Sequence, residues 1–232
     1  MKTIYLMRHS IPERTDLPTE QIPLSEEGRK LVLEKKSAFC GIAKCFSSPY
    51  KRAIETAKLI TDNVEIVEGL HERTIGEEKE DFWYKQYSDY DYRNVGGESL
   101  NEVKIRMKKA MEGILGKMED GESALVVSHA TAICSYFLND CKLEVIDASA
   151  KERRITFQKR VILNGKLNPT DYFIIRFGND TIMDIASYPQ KRTAYRDFIA
   201  AGCSFSYDDN AKSRKGSGHG KCNYRKRVEK IL

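Results

Sequence analysis

The chain contains no apolar run approaching the roughly 18 to 20 residues that a membrane-crossing helix needs. Its opening stretch, Met1 to Arg8, leads straight into a strand-like segment and lacks the basic, apolar and small-residue order of a secretory signal. A cytoplasmic protein with no membrane partner is expected. Cysteine is sparse. Cys40, Cys45, Cys134, Cys141, Cys203 and Cys222 form no CxxC pair, and a chain of 232 residues builds a core without staples, so reduced thiols are expected. Histidine is scarcer still, at four residues, with neither HExxH nor comparable ligand spacing. No metal and no other cofactor is expected.

Net charge is also nearly absent from most of the chain. The formal net charge is +5, yet from Ala211 to Leu232 eight Lys or Arg face the single Glu229. The basicity is thus concentrated in the tail. Segment 213–220 is rich in Gly, Ser and Lys, and the chain divides into a domain over 1–190 and a basic C-terminal extension over 191–232 expected to be flexible.

What is present is an alternation of short apolar runs with amphipathic stretches. Thr3 to Met7 suits a buried strand, and Ser25-Glu26-Glu27 opens a helix with a capping Ser and first-turn acids. Ala43 to Ser47 is a second strand, followed by Ser48-Pro49 as N-cap and first helical residue, with Ala53, Ala57 and Ile60 on one face. Val64 to Val67 adds a strand. Ser99-Leu100-Asn101-Glu102 is a capping box leading into a helix that carries Val103, Met107, Ala110, Met111, Ile114 and Met118 and stops at Glu119-Asp120-Gly121. Ala124 to Val127 is another strand and Ala130 to Leu138 another helix. This predicts an α/β fold with a mostly parallel central sheet and helices on both faces. After about Ala150, β-prone segments at 155–163 and 172–177, with hairpin-type turns at Asn164-Gly165 and Gly178-Asn179-Asp180, predict antiparallel strands at a sheet edge near the C-terminus.

Polar residues follow three of the apolar strands directly: Arg8-His9, Ser47-Ser48-Pro49 with Arg52, and Ser128-His129. In an open α/β sheet the ligand crevice lies at the carboxyl ends of the strands. If these strands are parallel neighbours, two His and two Arg converge on one edge, a cluster that is repulsive when empty and suited to a multiply charged anion such as phosphate. The same cluster disfavours a metal ion, the rival use of His9, His129 and Glu72.

Six blocks in order carry a resemblance: Arg8-His9-Ser10, Leu24-Ser25-Glu26-Glu27-Gly28, Ser48-Pro49 with Arg52-Ala53 and Thr56-Ala57, Leu70-His71-Glu72 with Gly76, Gly97-Glu98-Ser99, and Val127-Ser128-His129-Ala130. The chain resembles the histidine phosphatase and phosphoglycerate mutase superfamily over roughly Met1 to Leu138. The resemblance implies that His9 is the nucleophile forming a phosphohistidine. It also implies that Arg8, Arg52 and His129 hold the phosphoryl oxygens, and that Glu72 is the general acid and then the base. Ser10 and Ala130 depart from the family's glycines. Their N–H groups are expected to remain available to an anion, with the added side chains narrowing the pocket.

The activity implied is metal-independent hydrolysis of a small phosphorylated substrate. Phosphoglycerate mutase-type transfer is the alternative, disfavoured because His129 follows Glu72 by only 57 residues, where mutases carry a longer insertion. The acidic, aromatic stretch from Glu77 to Tyr92, with Trp83, Tyr84, Tyr87, Tyr90 and Tyr92, stands where a specificity flap or packing over the sheet is expected. A non-catalytic protein binding through the basic tail is the alternative of another class. No nucleic-acid motif accompanies that tail, and nucleic acid is not expected as a partner.

Overall fold

The computed structural model describes residues Met1–Tyr188. The basic extension, with His219, Cys203, Cys222, Tyr207 and Tyr224, lies outside the described residues. Among the described residues the α-helices are α1 (Glu26–Lys35), α2 (Lys51–Ile60), α3 (Phe82–Ser88), α4 (Leu100–Gly116) and α5 (Ala130–Tyr136). Strands β1 (Lys2–Arg8), β2 (Lys44–Ser47), β3 (Glu65–Ile66) and β4 (Ser123–Ser128) are the parallel members of a six-stranded sheet ordered β3-β2-β4-β1-β8-β9. The last two, β8 (Tyr172–Gly178) and β9 (Thr181–Tyr188), add antiparallel at one edge.

Period-two alternation along the strands sorts their side chains onto two faces. Ile4, Leu6, Phe46, Ala124 and Val126 join Val103, Met107, Met111 and Ile114 of α4 and Ile133 of α5. Met7, Cys45, Leu125 and Val127 pack on the other face against Val32 of α1 and Ala53, Ala57 and Ile60 of α2. Helices therefore cover both faces, as the near-continuous apolar runs predict. At the head of α4, Ser99 Oγ accepts from Glu102 N–H at 3.1 Å and Glu102 accepts from Ser99 N–H at 2.7 Å, completing the capping box.

Three strands depart from the sequence reading. β5 (Lys142–Asp147), β6 (Glu152–Phe157) and β7 (Arg160–Gly165) form a separate antiparallel sheet, whose Ile155, Phe157 and Ile162 pack into the α4–α5 core. The β6–β7 turn falls at Gln158 and Lys159, both at positive φ, while Asn164 and Gly165 end β7. Other boundaries shift slightly. α4 ends at Gly116 rather than Met118, and Ala130–Leu138 divides into α5 and a 3-10 turn over Phe137–Asn139. No helix among the described residues is long and apolar enough to cross a membrane.

Candidate active site

Strands β2, β4 and β1 are adjacent, and their ends are level: Arg8 pairs with Ser128 and Ser47 with Val127. Backbone bonds continue one step beyond, with His9 N–H donating to Ser128 O and Ser48 N–H to Val127 O, each at 2.9 Å. His9, Ser48 and His129 are thereby delivered to one edge, the two imidazole centroids 4.9 Å apart.

His9 Nδ1 lies 2.6 Å from Ser10 O. A carbonyl only accepts, so Nδ1 carries the proton and the Nε2 lone pair is left facing Arg52, whose Nε donates to it at 3.2 Å. Arg52 Nη2 lies 3.4 Å from His129 Nδ1, and Nη1 donates to Thr19 O. Because a guanidinium only donates, neutral His129 accepts at Nδ1 and carries its proton on Nε2, 2.7 Å from Ser48 Oγ. Tyr50 completes the wall, with its ring against His129 at 5.0 Å and Arg52 4.9 Å from its centroid.

Both imidazoles are held neutral. Burial first, and the Arg52 charge second, lower His9 to about 3, against the opposing bond to Ser10. His129 is pushed well below the usual range by burial, then by His9 and Arg52. Burial also lowers Arg8 and Arg52, with the Glu72 charge opposing in both cases. Neither guanidinium belongs to an ion pair among the described residues. Arg8 follows Ile4 and Leu6 onto the α4–α5 face, where Nη1 donates to Leu167 O and Nε is buried without a partner among the described residues. Such a cationic, proton-poor pocket favours an anion. Among the described residues, His, Cys, Asp and Glu form no group of three suited to a metal.

Glu72 reaches the same edge from the loop before α3. Its Oε1 accepts from Ala132 N–H at 3.0 Å and Arg73 N–H at 2.9 Å, and Oε2 from Thr131 N–H at 3.4 Å. The carboxylate therefore sits on the amino end of α5, with Oε2 the more loosely held oxygen. Glu77, Glu78 and Glu80, its rivals in sequence, are exposed. Arg106 fixes this segment by donating to Gly69 O and His71 O at 2.8 and 3.1 Å while pairing with Glu98 at 2.8 Å. Burial alone would raise Glu98, but Arg106 and the Thr74 N–H outweigh it and hold the carboxyl low. A Cβ at Gly97 would stand 2.4 Å from Ile75 O, which explains the glycine of this block.

Two expectations at Ser10, one of the two positions where the family has glycine, change. Ser10 Oγ turns away from the pocket to donate to Gly28 O at 2.7 Å, and Ser10 N–H donates to Thr56 Oγ1 at 3.0 Å. That side chain does not narrow the pocket, and its amide is committed to Thr56 rather than free for an anion. Gly28 permits the approach, since a Cβ there would lie 2.2 Å from Ile11 O. Ser48 is not the N-cap: α2 starts at Lys51 after N-cap Tyr50, because the Ser48 hydroxyl instead accepts from Tyr50 N–H at 3.2 Å and meets His129. Ser48, Tyr50 and Thr56 are site-building residues that the sequence reading did not single out as such. His71 lies beside the site, stacked on Tyr50 at 6.2 Å.

The acidic, aromatic stretch contains α3. Buried Arg73 ties it to the Glu72 segment, donating to Gln86 and to Glu98 O, the latter at 2.7 Å, with Phe82 4.7 Å below its guanidinium. Phe82 is buried, whereas Tyr84 is 60% exposed, so the stretch both packs and presents surface.

A model of the histidine phosphatase superfamily, branch 1, matches residues 4–145. No curated protein sequence matches the chain. Among solved structures it resembles Bacillus stearothermophilus YhfR, at 20% identity and a TM-score of 0.61, over 81% of this chain and 96% of that one. It also resembles a mycobacterial glucosyl-3-phosphoglycerate phosphatase at 16% identity and a TM-score of 0.60, over 80% of this chain and 96% of that one. A phosphoserine phosphatase of Entamoeba histolytica, in complex with 3-phosphoglyceric acid, matches at 19% identity and a TM-score of 0.59, over 82% and 98%. These likenesses show a shared fold. The family match, covering more than half of the chain and both sequence segments that carry the paired histidines, shows that the chain belongs to the histidine phosphatase superfamily, branch 1.

Proposed function

We propose that the protein is a metal-independent phosphatase that hydrolyses small phosphomonoesters through a phosphohistidine on His9. The observation that carries this reading is the buried His9 ring, protonated at Nδ1 by its bond to Ser10 O and presenting the Nε2 lone pair beside Arg52. The Nε2 pair attacks phosphorus while the bond to the ester oxygen breaks, and the departing alkoxide takes a proton from Glu72, which enters this step as the carboxylic acid and leaves it as the carboxylate. The phosphorylated ring bears positive charge shared with Nδ1–H, which Ser10 O accepts. Glu72 then takes a proton from water, the hydroxide oxygen bonds to phosphorus, and the P–N bond returns its electron pair to Nε2. Such acid–base help contributes about 10²- to 10⁴-fold.

Arg8 and Arg52 supply the positive charge against the phosphoryl oxygens, since catalysis of phosphoryl transfer is mainly positioning and electrostatic stabilisation. His129 enters with an acceptor at Nδ1. A proton from a monoanionic ester makes it an imidazolium, which then donates to the same oxygens while Ser48 still accepts from its Nε2–H, and the proton leaves with the phosphate released. The phosphatases of similar fold favour hydrolysis over mutase-type transfer. Turnover of p-nitrophenyl phosphate in chelator tests the reading. Undiminished activity is expected, and strict dependence on an added divalent cation would overturn it.

A further inference from the structure

Arg106, Ala110, Gly113 and Lys117 recur at intervals of four, three and four residues and so stand on one stripe of α4 and its end, beside the buried Met107, Met111 and Ile114. With Val67 and Gly69 of the segment before Glu72 they line a pocket of about 420 Å³, a volume suited to a small molecule. The two glycines have different causes. A Cβ at Gly69 would lie 2.8 Å from the Ala110 Cβ, so the close approach to α4 requires glycine there. A Cβ at Gly113 would meet nothing within 4 Å, so no packing within the fold requires this glycine, although glycine inside a helix costs stability relative to alanine. What Gly113 does is keep the pocket open.

Val67, Ala110 and Ile114 make the lining mostly apolar, while its charged members, Arg106, Lys109 and Lys117, are all cations. Arg106 is committed to Glu98 and to the carbonyls of Gly69 and His71. Lys117 pairs with Glu65, but both side chains are about half exposed, and such a contact is weak in water. Lys109 is exposed and belongs to no ion pair among the described residues. A lysine stem lies along apolar surface while its ammonium stays in water, so Lys109 and Lys117 can flank a bound apolar body and offer donors to an acidic group on it. A neutral ligand would leave those charges unused, and a cation would be repelled.

We propose that this pocket is a second ligand site, for a small organic anion whose apolar body lies on Val67, Ala110 and Ile114 and whose acidic group meets Lys109. It shares no lining residue with the His9 edge and does not depend on the phosphatase reading.

Octanoate is the probe and octanol its uncharged match, each titrated into the isotope-labelled full chain and followed by backbone amide shifts. The Gly69, Ala110, Gly113 and Lys117 amides should move together along one saturable curve, with a Kd about threefold or more tighter for octanoate than for octanol. Hexanoate should bind about tenfold more weakly than octanoate, because two fewer methylenes leave water. K109Q should remove most of the preference for octanoate while leaving octanol binding within about twofold. G113L, which puts a helix-favouring side chain into open space, should melt about 2 to 3 °C higher and lose octanoate binding. Saturating inorganic phosphate should leave octanoate binding unchanged. Absence of a saturable shift, shifts scattered over the protein, equal affinity for octanoate and octanol, displacement by phosphate, or full binding by a folded G113L would each overturn the inference. If G113L unfolds, the K109Q comparison decides alone. Shifts of the same amides on dilution without octanoate would assign this face to a second copy of the chain and overturn it as well.

Discussion

Arg52→Met should separate the cost of the empty pocket from its capacity to bind. Arg52 is 6% exposed and contacts His9, His129, Tyr50 and Thr19 O, with no carboxylate partner among the described residues. Methionine keeps much of the length and removes the charge. The lost bond to Thr19 leaves a carbonyl at an exposed residue, which water satisfies, and although His9 Nε2 and His129 Nδ1 each lose a donor, removal of a buried cation that has no carboxylate partner offsets this. The empty variant should therefore melt no lower than wild type. Anion binding should behave oppositely. A charge-assisted bond is worth about 1.5 to 3 kcal/mol, so losing a guanidinium that meets two phosphoryl oxygens should cost about 3 kcal/mol, or roughly 150-fold in Kd. Vanadate at 100 times the wild-type Kd stabilises wild type by about 2.7 kcal/mol and the variant by about 0.3 kcal/mol. At about 2 to 4 °C per kcal/mol for a chain of this size, the shifts are about 5 to 11 °C and about 1 °C. Thermal melting with and without vanadate measures both quantities. An equal vanadate shift in the two proteins would place Arg52 outside the anion site.

Glu72→Gln should slow alkyl phosphates about 10²- to 10⁴-fold and p-nitrophenyl phosphate far less, because the nitrophenolate departs without a proton; equal small losses would show that Glu72 is not the acid. Ser48→Ala removes the 2.7 Å partner of His129 Nε2 and should cost about 1 to 3 kcal/mol of binding in vanadate titrations, whereas an unchanged Kd would leave the hydroxyl without a part in orienting His129. The lowered pKa of His9, about 3 in the folded chain, means the unfolded state takes up the proton first on acidification. Its stabilisation is present above about pH 6.5 and is lost as pH falls toward 3, at up to about 1.4 kcal/mol per pH unit. His129 adds in the same direction. Urea midpoints without phosphate should thus drop between pH 7 and 5, and a flat profile would contradict the buried neutral rings.

The sequence reading reached the site because parallel β strands deliver whatever follows them to one edge. Arg8-His9, Ser47-Ser48 and Ser128-His129 each follow an apolar run, so adjacency of β2, β4 and β1 was enough to gather them. It placed Ser48 at that edge but assigned its hydroxyl to a helix start, because a Ser before Pro gives the same local signal whether its hydroxyl caps a helix or bonds a distant imidazole. Alternating residues at 155–163 indicated strands but not the sheet they join. That depends on Ile155, Phe157 and Ile162 finding the α4–α5 core. The β6–β7 turn was hidden because Gln158 and Lys159 occupy positive φ without glycine, while Asn164-Gly165 offered a stronger local signal. Arg73 was not singled out in the sequence, since its acidic neighbours give no local sign of burial, yet it is buried against Gln86, Phe82 and Glu98 O.

The covalent intermediate is the central claim, and trapping it is the most direct measurement. Wild-type protein mixed with excess phosphomonoester in chelator, quenched in alkali within the first turnovers and mapped by mass spectrometry, should carry an alkali-stable, acid-labile phosphoryl group on His9. Glu72→Gln given p-nitrophenyl phosphate, whose leaving group needs no acid, should accumulate more of it because removing the base slows attack by water, and His9→Ala should carry none and turn over nothing. Phosphate on a serine, or wild-type turnover in His9→Ala, would contradict the account.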